Sequence, residues 1–300
     1  MAEDILKKIK TALEAAKFPF QILGAIVFGS RAKGMAAANS DIDLLIIADG
    51  IALKRHRRGE EILLIKKNLP VFPFDILLFS SAEIVCNFKN HNPLFLDIAE
   101  DGIILIDRDD FLKKLIDETK RYIIDKGIKK IKDGWRFPVR HGAVTYLSNV
   151  SNKDFSMAML KDGERDYLIG SKLIDEGFYD KAVYHFQQSV EKCIKSILIA
   201  YGIFQKTHFI GEVLIENLKN IDLQEPWKEK LLKIAETSEA IEPDVSLSRY
   251  PGIINDKLWL PFEEYEKPDA EKAQEKSSEV LSVTKDFLEY LFPASQDFRG

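Results

Sequence analysis

Three acidic side chains stand in stretches that otherwise read as buried strands. Asp41 and Asp43 open the run Asp41-Ile42-Asp43-Leu44-Leu45-Ile46-Ile47, and Asp75 interrupts the apolar Val71 to Phe79. A carboxylate is disfavoured in a strand, and two on one face repel each other. A bound cation would offset both costs. Alternation along a strand projects Asp41 and Asp43 from one face, ~7 Å apart along the chain. Two carboxylates so placed can share a hard divalent ion, or two ions. Such ions clamp a polyphosphate and stabilise the attacking and leaving oxygens of an in-line displacement. Asp75 is the sole carboxylate in its apolar run and reads as a third buried acid. It could complete the metal site and take the proton of an acceptor hydroxyl.

Gly29-Ser30 closes the apolar run Ile22 to Phe28. Glycine there lets backbone approach a ligand closely. A helix starting at that point aims N–H groups at a phosphate, and the Ser30 hydroxyl can donate to the same group. Taken alone, Asp-x-Asp or Gly-Ser is commonly no more than a turn. Together, on a strand–turn–helix–strand frame with a third acid, they point to phosphate chemistry.

The frame has to deliver those residues to one place. Ile5, Leu6, Ile9, Leu13 and Ala16 recur at helical spacing, so 3–17 read as a helix. Strands are expected at 22–28, 41–48, 71–79 and 103–106, with helices at 59–68, 81–89, 93–100 and 109–126. Ala-rich 31–38 could hold a short helix, interrupted by Gly34. Pro73 puts the third strand near a sheet edge or at a strand start. Helix and strand therefore alternate to about residue 108. Lys132 to Gly142 carries Gly and Pro without a period and reads as a connector. Beyond Ser156 no strand is expected. Helices are predicted at 157–176, 179–201, 208–219, 226–241 and 269–292, an up-and-down bundle. The fold class is α+β: a mixed sheet with flanking helices over 1–135, a connector over 136–155, and an all-α bundle over 156–295.

The 300 residues are 46% hydrophobic, enough for two cores. A net charge of -5 removes any global basic field that would invite nucleic acid. Cys86 and Cys193 cannot make a disulfide framework and suit a reducing cytosol. Met1 to Lys10 reads as the start of an amphipathic helix rather than a signal peptide. The longest apolar runs fall short of a membrane span. The expected setting is cytoplasmic, without a membrane partner.

Gly29-Ser30, Asp41-Ile42-Asp43 and the later Asp75 resemble the motif of the DNA polymerase beta-type nucleotidyltransferase superfamily. GSRAKG and SDIDLLI are similar to its minimal and kanamycin-nucleotidyltransferase-like branches, and Asn92 to Asp107 resembles the closing helix and strand of that domain. The resemblance spans about residues 1–130. It implies Mg2+, two ions in the active complex, and transfer of a nucleoside monophosphate from ATP or another NTP to a hydroxyl, with release of pyrophosphate. It further implies that Asp41 and Asp43 bind metal, that Asp75 is third ligand or base, and that Gly29 and Ser30 hold the triphosphate. Arg31 and Lys33 would neutralise phosphate charge or be plain solvated helix charges. The acceptor is open: a small molecule such as an aminoglycoside-like sugar, a protein hydroxyl or an RNA end.

Gly177 to Gly202, Lys206 to Leu214 and Ser248 to Gly252 resemble HEPN domains, over about 156–293. That implies a helical bundle that forms homodimers and contacts nucleotide. His185, Gln188, Lys192 and Lys195 lie off the apolar stripe of the 179–201 helix, at three-, four- and seven-residue steps. They line a pocket or subunit interface, or form a solvated face. His208, Arg249 and Tyr250 are further pocket candidates, the last two for phosphate and base. Arg136 and His141 have the spacing of HEPN ribonucleases, but Pro138 breaks the helix between them and Ala143 replaces the tyrosine of a toxin branch. No nuclease activity is expected. The rival reading is a non-catalytic nucleotide-binding or toxin–antitoxin-type module, against which the presence of all three aspartates argues.

Overall fold

The computed structural model describes residues 2–35, 37, 40–140 and 142–293. The chain folds as two compact units, Met1–Ile128 and Lys129–Gly300. Among the described residues no helix is long and apolar enough to cross a membrane.

The first unit runs α1 (Ala2–Ala15), β1 (Gln21–Phe28), α2 (Gly29–Ala32), β2 (Ile42–Asp49), α3 (Gly59–Asn68), β3 (Phe74–Phe79), α4 (Ser81–Lys89), α5 (Pro93–Asp101), β4 (Ile103–Asp107) and α6 (Phe111–Asp125). The strands form one mixed sheet in the order β3-β2-β1-β4. β1 is antiparallel to β2 and β4, while β2 and β3 are parallel. Both faces are covered, so the central strands are apolar on both sides. Ile42, Leu44 and Ile46 join Ile9 and Leu13 of α1 in one core, while Leu45 and Ile47 join Ile84, Phe95 and Ile116 of α4, α5 and α6 in the other. Helix starts follow their caps. Ser80 and Glu83 form a reciprocal capping box at α4, and Asn92 accepts from Leu94 N–H at α5, with Pro93 in the first turn. β3 is an edge strand and Pro73 immediately precedes it, as its missing N–H requires.

The second unit runs β5 (Lys129–Ile131), β6 (Gly134–Arg136), α7 (Asn152–Asp175), α8 (Tyr179–Ala200), β7 (Ile203–Gln205), α9 (Gly211–Leu218), α10 (Trp227–Glu239), α11 (Asp244–Leu247), β8 (Gly252–Ile254), β9 (Lys257–Trp259), α12 (Pro261–Glu264) and α13 (Lys267–Leu291). α7 and α8 form a helical hairpin, with α13 packed on both. The α8 stripe of Val183, Phe186, Val190, Cys193, Ile194, Ile197 and Leu198 is fully buried. Gly170 allows the close approach of α7, because a Cβ there would meet the Phe186 ring at 2.8 Å.

Several expectations need correction. The units part at Ile128/Lys129 rather than near 135, and 136–155 is not a free connector. Next to the buried Trp135, Arg136 pairs with Ile203 of β7, Phe137 N–H donates to the Gly202 carbonyl at 2.8 Å and Asn152 Nδ2 donates to the Ala200 carbonyl at 2.7 Å, which ties this segment into the second unit. That unit is helical but not all-α, since it holds the β5-β6-β7 sheet and the β8-β9 hairpin. The helix after β1 is one turn, Gly29–Ala32, and Ala36, Ala38 and Asn39 lie outside the described residues. His141 also lies outside them.

Candidate active site

β1, β2 and β3 deliver the candidate residues to one end of the sheet. Phe28, the last residue of β1, has Asp43 as its register partner on β2. Across the parallel pair, Asp43 stands opposite Asp75 of β3. Adjacent strands lie ~4.8 Å apart and register partners share a face, so these two carboxylates leave the sheet side by side. Their face is that of α4, α5 and α6, because the alternating residues Ile42, Leu44, Phe74 and Ile76 belong to the opposite core. Asp41 stands one residue ahead of β2 and is exposed. Asp43 is half-buried. Asp75 is exposed, which corrects the expectation of a third buried acid: it sits near the start of an edge strand, where apolar neighbours do not enclose it.

Gly29 follows Phe28 directly and has φ +72°. A Cβ at this position would collide with Oδ2 of Asp43 and lie 2.7 Å from its Cγ. Only glycine permits both the left-handed turn and the contact. The glycine bend and the acid pair therefore lie together at one end of the sheet, with Ser30 the next residue in the chain.

The donor set is hard oxygen, which suits Mg2+. Among the described residues, no group of three or more His, Cys, Asp or Glu stands close enough to hold a metal ion unaided. Mg2+ is typically held by one or two carboxylates and completes its shell with water and phosphate oxygens. Paired carboxylates beside a glycine bend fit that mode; a closed protein cage is not what they form.

The two nearby cations face protein partners. Arg31 donates from Nε and Nη2 to the Ser40 carbonyl at 3.0 and 2.6 Å, and its guanidinium lies 4.5 Å from the centre of the Phe72 ring. Lys33 Nζ is 3.5 Å from Asp101 Oδ2 at the end of α5.

In the second unit the predicted polar row is organised by two acids the sequence left unmarked. Asp166 of α7 bonds His185 Nδ1 at 2.9 Å and Lys192 Nζ at 2.5 Å, and Lys192 also reaches Asp162. Burial pushes the Asp166 carboxyl up, but the bonds from His185 and Lys192 outweigh it and hold it below the usual range. Burial likewise opposes the Lys192 charge, yet Asp162 and Asp166 raise its pKa above the ordinary value. Glu191 of α8 contacts Gln188 at 3.3 Å, Lys195 at 2.8 Å and His208 Nδ1 at 3.0 Å. Arg249 donates to the Tyr250 hydroxyl and lies over the Tyr184 ring. The candidates thus fall into three sets, around Asp166, Glu191 and Tyr184. Asp162 and Asp166 stand four apart on α7, a spacing visible in sequence; their pairing with α8 is not.

A cavity of ≈ 760 Å³ lies on the other face of the first unit, lined by Leu13, Phe20 and Ile22, and one of ≈ 560 Å³ in the second unit is lined by Arg136, Phe209 and Asn217.

Sheet, glycine bend and register-paired acids define a nucleotidyltransferase domain, joined in one chain to a helical unit. The family model for Polymerase beta, Nucleotidyltransferase matches residues 7–111, and that for the HEPN domain matches 156–287. Two proteins of Methanocaldococcus jannaschii are similar. "Putative toxin MJ1304" is 34% identical over 145 residues, which is 48% of this chain and 95% of that protein. "Putative protein adenylyltransferase MJ1305" is 31% identical over 135 residues, 43% of this chain and 84% of that protein. A crystal structure of a nucleotidyltransferase-like protein from Exiguobacterium sibiricum aligns over 97% of this chain and 92% of its own, at 16% identity and TM-score 0.36. The chain belongs to the polymerase beta-type nucleotidyltransferase and HEPN domain families, and it is a nucleotidyltransferase.

Proposed function

We propose that the protein transfers a nucleoside monophosphate, AMP from ATP, to a hydroxyl acceptor and releases pyrophosphate in a Mg2+-dependent reaction. The observation that carries the reading is the register pairing of Asp43 with Asp75, beside the Gly29 bend. Asp41 and Asp43 would hold the metal, and Gly29 and Ser30 would present backbone and hydroxyl to the triphosphate. Asp75 accepts the proton of the acceptor hydroxyl. The hydroxyl oxygen then bonds to the α-phosphorus, and the bond from that phosphorus to the bridging oxygen breaks. Mg2+, when bound, spreads the charge of the triphosphate and of the departing pyrophosphate. Most of the acceleration comes from position and charge neutralisation.

The adenylyltransferase named among the relatives supports adenylate as the group moved and a protein hydroxyl as acceptor. The toxin named beside it supports a second reading, a toxin–antitoxin-type module whose two parts lie in one chain. Incubation with α-labelled ATP and Mg2+ should place label on protein, on this chain or an added partner, with matching pyrophosphate. Asp43→Asn should lower the rate by ~10³-fold or more, as for loss of a central electrostatic group. Unchanged labelling by folded Asp41→Asn and Asp43→Asn proteins would refute the assignment.

A further inference from the structure

Arg31 links the chain segments that carry the candidate catalytic groups. It lies on α2, one residue beyond Ser30 and two beyond Gly29. Its Nε and Nη2 both donate to the Ser40 carbonyl. That carbonyl belongs to the same planar peptide unit as the Asp41 N–H, so fixing it fixes the plane from which Asp41 departs. The guanidinium face rests on Phe72, next to Pro73. The Pro73 carbonyl in turn accepts from Ile42 N–H at 2.9 Å, between Asp41 and Asp43. One half-buried side chain thus ties the glycine bend, the start of β2 and the lead into β3 together.

We propose that Arg31 is a positioning residue for the metal-binding carboxylates, acting through Ser40 and Phe72, rather than a ligand of the triphosphate. The inference rests on the function proposed above. A guanidinium suits this role because it is planar, presents two parallel N–H groups and stacks on an aromatic face. Lysine carries the same charge but lacks the fork and the flat face. A phosphate ligand, by contrast, touches the nucleotide with or without a divalent ion, so its loss lowers affinity in both conditions.

The two roles separate when nucleotide binding is measured with and without a divalent ion. The probes are ATP in excess EDTA and a non-hydrolysable ATP analogue with Mn2+, titrated against the full chain. Arg31→Lys, Arg31→Gln and Phe72→Leu are compared with wild type at matched thermal stability. For a positioning role, Arg31→Lys and Arg31→Gln each lose about tenfold in Mn2+-dependent affinity. Phe72→Leu shifts the same way by a few-fold, and affinity in EDTA stays within about twofold for all three. Equal losses in EDTA and in Mn2+, or an Arg31→Lys protein that binds like wild type, would overturn it. A wild-type protein whose affinity gains nothing from Mn2+ would instead overturn the proposed function, a result distinct from either.

Discussion

At Gly29 the backbone and the chemistry compete for the same space. The residue needs φ +72°, and its absent Cβ is where the Asp43 carboxylate sits. An L-residue in this region costs about 1–2 kcal/mol from backbone strain alone, and here a methyl group must also displace the acid. Gly34 offers an internal control. It has φ +70°, and among the described residues a Cβ there would meet nothing within 4 Å. Gly34→Ala should therefore lose about 1–2 kcal/mol of stability in urea melts, and Gly29→Ala at least as much. Only Gly29→Ala should also lose nucleotidyl transfer, by tenfold or more, because only there does the acid move. Comparable activity in the two variants would show that the contact with Asp43 carries no function. Asp75 teaches a related lesson: an oily run does not distinguish a buried acid from one near the start of an edge strand, and here it is exposed.

Elements differ in how much of themselves they write into the sequence. β1 to β4 are continuous apolar runs bounded by turn residues, and α8 repeats its stripe over 22 residues, so all are legible. β5 to β9 have three residues each, too few to show a period; β5-β6 and β8-β9 are local hairpins, while β7 joins its sheet through distant partners, Phe204 meeting Trp135. The site follows the same division. Asp41, Asp43 and the Gly29 bend are local spacing, whereas the Arg31 hold on Ser40 and the Asp166 and Glu191 networks need tertiary pairing. The turn between α4 and α5 holds another such pairing. His91 has φ +49°, stacks on Tyr122 of α6 with ring centres 3.5 Å apart, and leaves Nδ1 buried without a hydrogen-bond partner among the described residues. Burial pushes its pKa down to about 4. The unfolded chain titrates near the ordinary ~6.5, so between pH ~6.5 and ~4 the unfolded state binds the extra proton. The stability is fully present above pH ~6.5 and is lost as pH falls towards ~4. His91→Asn tolerates the left-handed backbone and removes the titration. Its urea midpoint should fall less steeply than that of wild type over this window, a difference on the order of 1–2 kcal/mol after allowance for partial exposure. Parallel profiles would place the charged ring in solvent.

Across the whole chain the apolar residues gather into clusters of buried side chains, each drawn from a single unit. Two clusters, one on each face of the sheet, draw on the first unit, and one draws on the second. A chain of two compact units departs from two-state unfolding, so two transitions are expected rather than one unfolding free energy. Arg58 gives a way to read this, because it belongs to the first unit and is 2% exposed. Its guanidinium donates to the carbonyls of Ala52, Leu53 and Leu78, and forks onto Glu83 at 2.7 and 3.1 Å. Glu83 also accepts from the Ser80 N–H at the start of α4. Burial raises the Glu83 pKa, but the bonds from Arg58 and Ser80 prevail and leave it below the usual range. Arg58→Ala removes the donor of the buried Leu78 carbonyl, while the half-buried Glu83 keeps the Ser80 N–H and water. Losing these charge-assisted bonds costs about 2–3 kcal/mol, which in a unit of this size lowers the midpoint by roughly 10 °C. Differential scanning calorimetry should then resolve two transitions, one displaced by that amount and one unmoved within about 2 °C. If both transitions shift together, the two cores unfold as one cooperative body, and the independence drawn from their composition is wrong.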